Sequence, residues 1–590
     1  MNKDVTDAIL SAAQQCIPRG CRATYKPFWN KNIASNIEKR ETARRKFMKS
    51  NTTENRIAYN KASAISKREI LTAKREKFHT TCQNLDLSKE GSKAWSLLKN
   101  LNGDNRKSNP KPLQDRGDTI ADDQKRAERH NNYFAAVNKA NVLTEEDKLM
   151  LKKLKLSEKA PRANSKIFEE VFNTTELNKA LKKLRPRKSP GPDMIHNEML
   201  KHLGGIGKQV VLKLINKSWT TGQLPKAWKI AIIKPLLKKG KPAEEIGSYR
   251  PISLTSCLGK LAERMTNARL YWWLETNKII DVHQSGFRAG QRTEDLLFRI
   301  TQKIIDGFHQ KKSTVAVFVD FKQAYDRVWR KGLLSKMQEC GIHGNLYNWI
   351  KNFLNERLIQ TKVGDAFSSR KILEEGLPQG SSLSCTLFLI YINDLLKELK
   401  SEKGGYADDL GFWQTQSNVG TCAILLNEDL QKLEKYCHKW KIKINYDKTI
   451  YTIFTLSNEE SKRNLKIQIG NIKINKEENP VYLGTQLDSK LTLKKHVEQL
   501  KAKATSRLKI VKRLASSRWG ANKSTLRQMY LGYVRSKLEH NLALQSICSL
   551  TLQEKLEKVQ NEAVKFISGG MKSTPIAACE IESNIEPLNL

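Results

Sequence analysis

The sequence Gly-Tyr-Ala-Asp-Asp occupies residues 405–409, and the sequence Val-Phe-Val-Asp-Phe occupies residues 317–321. In both, an acidic residue follows short apolar, β-branched or aromatic residues, which is typical of a buried strand that ends at a site. Two acidic strand ends that lie side by side repel each other, shift their pKa values or bind hard cations.

These acidic residues predict a metal centre. Asp320, Asp408 and Asp409 supply the oxygen ligands that Mg²⁺ prefers when substrate phosphates complete its coordination. The expected chemistry is therefore two-metal phosphoryl or nucleotidyl transfer. An Asp-Asp pair is also common in tight turns, and for the dipeptide alone this alternative stays open.

The charge of the chain predicts a polyanionic partner. The 590 residues include 105 Lys and Arg against 61 Asp and Glu, which gives a formal charge of +44. This excess is far beyond what solubility requires, and it is spread along the chain instead of being collected on one amphipathic segment. The pattern favours nucleic acid over an acidic membrane surface.

The cysteines and the apolar segments point to an intracellular protein without a membrane partner. The ten cysteines form no Cys-x-x-Cys pair, so they are interpreted as reduced thiols and not as zinc ligands. No secretory leader is recognised at the beginning of the sequence. The longest apolar runs, at residues 315–319 and 387–392, are too short to cross a bilayer.

A basic strand–loop–strand is predicted between residues 228 and 254. Apolar residues 230–233 predict a strand that leaves Lys234 at its end, and further lysines lead through a loop to Arg250. Fixed positive charges at such tips are the groups that a triphosphate requires. A solvent-exposed basic hairpin without a ligand is the alternative.

Two further segments carry candidate binding residues. Tyr325 follows Asp320 by five positions, where a bulky ring could exclude a ribose 2′-hydroxyl or could simply pack the turn. Gln379 and Gly380 belong to a Gly- and Ser-rich loop that permits close approach of a backbone or a base. An apolar helix is predicted after this loop, and residues 441–454 are predicted to form strands.

The order of these motifs resembles that of reverse transcriptases. It comprises the basic hairpin followed by F-x-D-F-x-x-A-Y-D, G-L-P-Q-G-S, Y-A-D-D, N-x-x-K-T and Y-L-G. The segments K-S-P-G-P-D at 188–193, Y-R-P-I-S-L at 249–254 and Q-S-G-F-R at 284–288 are similar to those of non-long-terminal-repeat (non-LTR) retrotransposons, most nearly the jockey-like group.

The resemblance implies an α+β right-hand polymerase fold with fingers, a palm that contains an antiparallel sheet, and a thumb. Fingers and palm are expected in residues 161–460. The primer grip, thumb and C-terminal helical region are expected in residues 461–590. Residues 1–160 are expected to form a basic helical extension, corresponding to the linker that follows an endonuclease in relatives.

The resemblance also implies a role for each candidate residue. Asp320, Asp408 and Asp409 would bind two Mg²⁺ ions, for which Mn²⁺ could substitute. The other implied roles are Lys448 as proton donor to pyrophosphate, Lys234 and Arg250 as triphosphate ligands, Tyr325 as sugar gate, Gln379 and Gly380 as contacts to template and incoming base, and Tyr482, Leu483 and Gly484 as the primer grip.

The function implied is that of a non-LTR retrotransposon reverse transcriptase, which extends a DNA primer on an RNA template by two-metal nucleotidyl transfer. Its partners would be the RNA template, the DNA primer or target and dNTPs. A separate endonuclease and an RNA-binding protein of the element are further partners left open. Synthesis in the cytoplasm and action in the nucleus at integration are expected. A catalytically inactive nucleic-acid-binding remnant and an intron maturase remain as alternatives.

Overall fold

The computed structural model describes residues 1–17, 27–103, 112–115, 118–139, 143–158, 166–516 and 519–588. Helices and strands are mixed along the described chain, in agreement with the predicted α+β class. In chain order the α-helices are α1 (Asn2–Cys16), α2 (Lys31–Lys49), α3 (Thr53–Gln83), α4 (Leu87–Asn102), α5 (Asp123–Val137), α6 (Glu145–Glu158), α7 (Lys166–Glu169), α8 (Thr174–Lys182), α9 (Asn197–Lys201), α10 (Gly205–Thr221), α11 (Lys226–Lys229), α12 (Cys257–Thr276), α13 (Thr293–His309), α14 (Arg330–Glu339), α15 (Gly344–Leu354), α16 (Ser384–Glu398), α17 (Val419–Lys439), α18 (Asn458–Lys462), α19 (Lys494–Lys512), α20 (Lys523–Met529), α21 (Ser536–Leu538), α22 (Leu542–Gln545), α23 (Leu550–Ser568) and α24 (Ile576–Ser583).

The strands are shorter than most of the helices. In chain order they are β1 (Leu113–Asp115), β2 (Asp118–Ile120), β3 (Ile230–Leu237), β4 (Tyr249–Leu254), β5 (Ser313–Val319), β6 (Arg357–Val363), β7 (Ala366–Phe367), β8 (Lys371–Leu373), β9 (Glu402–Tyr406), β10 (Asp409–Gln416), β11 (Ile450–Phe454), β12 (Gln468–Ile469), β13 (Ile472–Lys473), β14 (Asn475–Lys476), β15 (Val481–Tyr482) and β16 (Thr485–Gln486).

The chain divides into two compact units, each built from two separate segments. The first comprises Met1–Pro18 and Ser108–Leu491, and the second comprises Arg19–Lys107 and Thr492–Leu590. The strands given above lie in the first unit, together with every candidate residue of the site. The three consecutive regions expected from the sequence, 1–160, 161–460 and 461–590, stay a prediction.

The central sheet of the first unit has the strand order β14-β11-β5-β10-β9. Strand β5 is buried along its whole length because its side chains are apolar or small on both faces. It pairs antiparallel with β10 on one side and with β11 on the other. The predicted strand that ends at Asp320 is therefore confirmed, and it lies in the middle of the sheet.

Helices cover this sheet and form the main core. Helices α13 and α17 pack against β5 and β10, and α16 packs against α17. The apolar residues of α16 are almost all buried, as the run of Leu, Ile and Phe predicted. The predicted helices that follow the Gly- and Ser-rich loop and the residue-405 hairpin correspond to α16 and α17 and are confirmed.

A second sheet of the first unit has the order β4-β3-β6-β7, with β8 also paired to β6. Here the prediction that Lys234 ends its strand is wrong, because β3 continues through Pro235 to Leu237. Pro235 lies opposite Pro251 in the antiparallel register. Lys238 N donates to Ser248 O at 2.9 Å, so by alternation the two prolines form a non-hydrogen-bonded pair and remove no ladder bond.

The prediction of strands throughout residues 441–454 is also wrong, since only Ile450–Phe454 is a strand. The preceding residues bond to the chain around the β5 end instead. Lys322 N donates to Lys443 O at 2.7 Å, and Asn445 N donates to Asp320 O at 2.8 Å. These bonds place residues 443–449 beside the acidic end of β5.

The second unit is helical. Helices α2 and α3 pack together, with the Ser66 hydroxyl donating to Asn36 O at 2.9 Å. Helix α19 packs against α23, and the Tyr530 hydroxyl donates to the Gln560 side chain at 2.9 Å. Among the helices that the structure describes in either unit, none is both long and apolar enough to span a bilayer.

Candidate active site

The sheet register brings the three acidic residues to one edge. Leu410 pairs with Val319, so the next positions, Asp409 and Asp320, follow at the adjoining ends of β10 and β5. Asp409 also pairs with Tyr406 across the β9–β10 hairpin, which leaves Asp408 in the turn. Asp320 and Asp408 line one cavity of about 680 Å³, while Asp320 and Asp409 line a neighbouring cavity of about 550 Å³.

The carboxylates sense one another electrostatically. Partial burial raises the pKa of the Asp408 carboxyl, and the negative charge of Asp320 raises it further. Partial removal from water and the charges of Asp408 and Asp320 raise the pKa of Asp409 to about 6, although its side chain keeps solvent exposure. Concentrated negative charge of this kind favours a cation.

Asp320 is held by the turn that precedes β11. Asn445 Nδ2 donates to Asp320 Oδ2 at 2.6 Å, and Lys448 Nζ lies 3.6 Å from the same oxygen. The Asp320 amide donates to Thr449 Oγ1 at 3.4 Å. The N-x-x-K-T motif therefore orients one acidic residue of the site and contributes a positive charge beside it.

The Q-S-G-F-R segment holds the turn that carries Asp408. Gln284 Oε1 accepts from the amides of Gly286 at 2.9 Å and Ala407 at 3.0 Å. Ser285 N donates to Gly405 O at 2.8 Å. A Cβ added at Gly286 would lie 2.2 Å from the Ala407 nitrogen, so only glycine permits this close approach.

The donor set fits a hard divalent cation in its chemistry, since it offers three carboxylates with mutually raised charge density. Within the described part of the chain, however, no group of three or more His, Cys, Asp or Glu side chains is close enough to form a ligand set. In this arrangement Asp320 instead contacts Asn445 and Lys448. The metal assignment of the three aspartates stays a prediction.

The larger cavity gathers most of the candidate binding residues. Arg250 lies on its wall, and its positive charge opposes the rise in the pKa of Asp408. Gln379 Nε2 donates to Asp326 Oδ1 at 2.8 Å, and the backbone oxygen of Gln379 accepts from Ser253 N at 2.7 Å. Gly380 has φ +117°, and an added Cβ would approach Ser253 O to 2.9 Å. The loop is thus fixed to the β4 strand.

Tyr325 also lines this cavity. Its ring stacks on Phe388 of α16, with centroids 4.6 Å apart and planes 18° apart. Burial raises the pKa of its hydroxyl, and the nearby thiol of Cys385 and carboxylate of Asp408 act in the same direction. The packing alternative noted for this ring is therefore satisfied, and a position beside an incoming sugar is satisfied as well.

Lys234 does not line the cavity of the acidic residues. It lies on a separate cavity of about 490 Å³ between α5 and the second sheet. Lys238, four residues further along the chain, lines the acidic cavity instead, and its pKa is lowered by burial and by the charges of Arg250 and Lys448. The structure thus groups Arg250 with Lys238 and not with Lys234.

The Y-L-G motif forms the turn between β15 and β16 beside the smaller cavity. Tyr482 is buried against Phe318, with ring centroids 4.4 Å apart, and its hydroxyl donates to Gly404 O at 3.4 Å. Leu483 lines the cavity with φ +47°, and Gly484 follows with φ +84°. The turn therefore lies next to Asp409.

Sequence reasoning quoted several site residues without assigning them a role. They are Lys238, which lines the acidic cavity, Gln284, which holds the Asp408 turn, Asp326, which accepts from Gln379, and Asn445, which donates to Asp320. Each lies inside a motif that was recognised. Their membership of these motifs was the available signal, whereas their partners are distant in sequence.

Residues 236–487 match the family model for reverse transcriptase (RNA-dependent DNA polymerase). The matched range includes β5, the β9–β10 hairpin and the β15–β16 turn. Together with the mixed sheets and helices, the match supports the right-hand polymerase fold that the motif order predicted.

The chain is also similar to curated transposon proteins of Drosophila melanogaster. It is 32% identical to the probable RNA-directed DNA polymerase from transposon BS, over 67% of this chain and 44% of the relative. It is 28% identical to the RNA-directed DNA polymerase from mobile element jockey, over 67% and 43%. It is 27% identical to the probable RNA-directed DNA polymerase from transposon X-element, over 68% and 44%.

This chain therefore spans less than half the length of these curated relatives. Similarity to proteins named after BS, jockey and X-element agrees with the resemblance to non-LTR retrotransposons. Residues 236–487 of the chain belong to the reverse transcriptase (RNA-dependent DNA polymerase) family.

Proposed function

We propose that the chain is the RNA-directed DNA polymerase of a non-LTR retrotransposon, extending the 3′-hydroxyl of a DNA primer on an RNA template. The observation that carries the proposal is that the family match spans the adjoining strand ends of Asp320, Asp408 and Asp409. The formal charge of +44 supports a nucleic-acid partner, since phosphate contacts dominate such binding.

Asp320, Asp408 and Asp409 are the residues that would hold two divalent ions, Mg²⁺ or Mn²⁺ as its substitute. When bound, such ions favour deprotonation of the primer hydroxyl and neutralise charge on the triphosphate. The raised pKa values of Asp408 and Asp409 support this assignment, because a bound cation relieves the repulsion that raises them.

The triphosphate is proposed to lie against Arg250 and Lys238. Both line the cavity that contains Asp408, and Arg250 is close enough to influence the pKa of that carboxyl. A guanidinium binds phosphate oxygens in a fork, and the lysine adds a point charge. Lys448, which is exposed and lies beside Asp320, would give a proton to the departing pyrophosphate.

Base and sugar selection are proposed to depend on three residues of the same cavity. Tyr325, fixed by stacking on Phe388, would exclude a ribose 2′-hydroxyl by steric contact. Gln379 and Gly380, held by Asp326 and Ser253, would lie against the template and incoming base. Since Gly380 has no side chain, a base can approach its backbone closely.

The primer terminus is proposed to lie against the Tyr482–Gly484 turn, because this turn lines the cavity that contains Asp409. Template sequence would be selected by base pairing, with the protein contacting phosphates and duplex shape. The further partners proposed are the DNA target and a separate endonuclease or RNA-binding protein of the element. Synthesis in the cytoplasm and action in the nucleus at integration complete the proposed role.

A primer-extension assay tests the proposal. Purified protein is incubated with poly(rA)/oligo(dT), dTTP and either Mg²⁺, Mn²⁺ or EDTA. Extension that needs a divalent ion is expected. Tight binding of the primer–template without extension under all metal conditions would contradict the proposal, and would instead identify a nucleic-acid-binding remnant.

A further inference from the structure

A basic pocket lies outside the acidic cavity, between α5 and the second sheet. Its volume is about 490 Å³, within the range of small-ligand sites. Four cationic side chains line it from four different elements or loops, namely Arg126 of α5, Lys234 of β3, Lys241 of the β3–β4 loop and Lys362 of β6. Glu244 is an acidic residue on the same wall, so positive charge predominates.

Two buried polar side chains of α5 reach this pocket with atoms that lack a hydrogen-bond partner. Arg126 is 5% exposed; Nη1 donates to Asp123 Oδ1 at 2.9 Å, while Nε has no partner. His130 is 1% exposed, and its Nδ1 has no partner. A buried polar atom without a partner costs free energy, so a ligand group that contacts it would be stabilised.

The cationic ends of the pocket are largely available for a ligand. Lys234 and Lys241 are exposed and make none of the ion pairs found in the described residues. Lys362 lies 3.7 Å from Asp365, a pair that is weakened by its exposure to solvent. Phosphate oxygens would therefore meet two unpaired lysines and one loosely paired lysine.

Tyr249 connects the basic pocket with the acidic cavity, because it lines both. Its ring stands edge-on to His130, with centroids 4.8 Å apart, and its hydroxyl donates to Ala243 O at 2.6 Å. A fixed aromatic residue between two pockets offers a stacking surface for a base on a strand that passes from one to the other.

We propose that the basic pocket binds one nucleotide of single-stranded nucleic acid next to the acidic cavity, with its phosphate on Lys234, Lys241 and Arg126 and its base near Tyr249. The inference rests on the proposed function in one respect: on a primer–template, the strand that is still single at this point is the uncopied template. The pocket then holds the template strand just before it is copied, without reading its sequence.

The experiment measures binding in the absence of dNTPs, so it does not depend on catalysis. Fluorescence anisotropy gives the dissociation constants of RNA/DNA primer–templates with 5′ RNA overhangs of zero, one, two, three or six nucleotides. The test variant is Lys234→Gln with Lys241→Gln. The matched control is Lys213→Gln with Lys239→Gln, which removes two exposed lysines that line neither cavity.

The overhang is expected to tighten binding by the wild-type protein and by the control. In the test variant about tenfold of this gain should be lost, and the dependence of affinity on salt should weaken by about 0.7 per lost phosphate contact. Binding of the blunt substrate and the KM for dTTP should stay close to wild type.

Three outcomes would overturn the inference. Equal weakening of blunt and overhang substrates would indicate a general charge effect. A raised KM for dTTP with an unchanged overhang effect would indicate that Lys234 contacts the triphosphate, as the sequence predicted. Wild-type behaviour of the test variant would exclude a role of these lysines. A protein that shows the overhang effect but no extension would contradict the proposed polymerase function and leave this inference standing.

Discussion

The side-chain oxygen of Gln284 accepts a hydrogen bond from the amide of Ala407 at 3.0 Å, one residue before Asp408. Gln284 is 1% exposed, and the same oxygen accepts from the Gly286 amide. Ala407 has φ +59°, a left-handed conformation that is costly for alanine and needs such support. Gln284 is thus a positioning residue for the acidic turn.

Replacement of Gln284 by leucine should lower kcat for primer extension by roughly 10- to 100-fold, because small displacements of reacting groups carry penalties of this size. The dissociation constant for primer–template should change little. Steady-state kinetics and anisotropy measure the two effects. Gln302→Leu, at an exposed position of α13, serves as the control. A lower affinity with normal kcat would contradict the positioning role.

Asp326 should make stability depend on pH. Burial raises its pKa to about 6, from an ordinary value of 3.8. Because the folded state holds the proton more tightly than the unfolded state, the charged carboxylate destabilises the fold above pH 6, and this cost disappears as pH falls toward 3.8. The cost is at most about 3 kcal/mol.

Asp326→Asn should therefore melt at a higher temperature than wild type at pH 8, with a difference that shrinks as the pH falls to 5. The amide oxygen can still accept from Gln379, so the loop contact is retained. Calorimetry at pH 5, 6, 7 and 8 follows the difference. A difference that is constant across this range would show that Asp326 does not titrate there.

Lys336 should stabilise the first unit although it is a buried charge. Its ammonium lies 3.8 Å from the Trp440 ring centroid and 2.5 Å from Asp394 Oδ1. It also donates to the Tyr436 hydroxyl at 2.5 Å. The aromatic ring and the two oxygens compensate for the loss of water around the charge.

Lys336→Ala should cost about 2–4 kcal/mol, since it removes the buried stem and leaves these partners unpaired. Lys331→Ala, at an exposed position of the same helix α14, should cost less than about 0.5 kcal/mol. Urea unfolding followed by tryptophan fluorescence compares the two. Equal effects would contradict the stabilising role of this aromatic site.

Tyr325→Ala should allow the enzyme to incorporate ribonucleotides. Removal of a ring that lines the acidic cavity and stacks on Phe388 would open space beside the sugar. The ratio of kcat/KM for dTTP to that for UTP should fall by about 10-fold or more. Tyr325→Phe keeps the ring and should preserve the ratio. If Tyr325→Ala slows both nucleotides equally, the residue is a packing residue alone.

The central sheet could be predicted because its information is local. The apolar run of β5 ends at Asp320, and the β9–β10 hairpin places Asp408 in its turn, so each strand end was visible in the sequence. The antiparallel register then fixes the neighbours without further assumptions. The helices α16 and α17 followed in the same way from their apolar periodicity.

The partners of these strand ends could not be predicted, since they depend on contacts between distant residues. Gln284 meets Ala407 across 123 positions, and Asn445 meets Asp320 across 125 positions. Lys234 was placed at the wrong cavity because Pro235 suggested the end of a strand. Its pairing with Pro251 makes that proline harmless, and this depends on β4, a separate segment.

The comparison of primer extension by wild type and Asp408→Asn tests the polymerase proposal most directly. With Mg²⁺ and poly(rA)/oligo(dT), the variant should lose extension by at least about 10³-fold, because an acidic residue of the reaction centre is neutralised. Its affinity for primer–template should stay within about twofold, since the basic surface is unchanged. Asp7→Asn, at an exposed position of α1, should match wild type. Extension by Asp408→Asn at the wild-type rate, or loss of binding and extension in equal measure, would contradict the proposal.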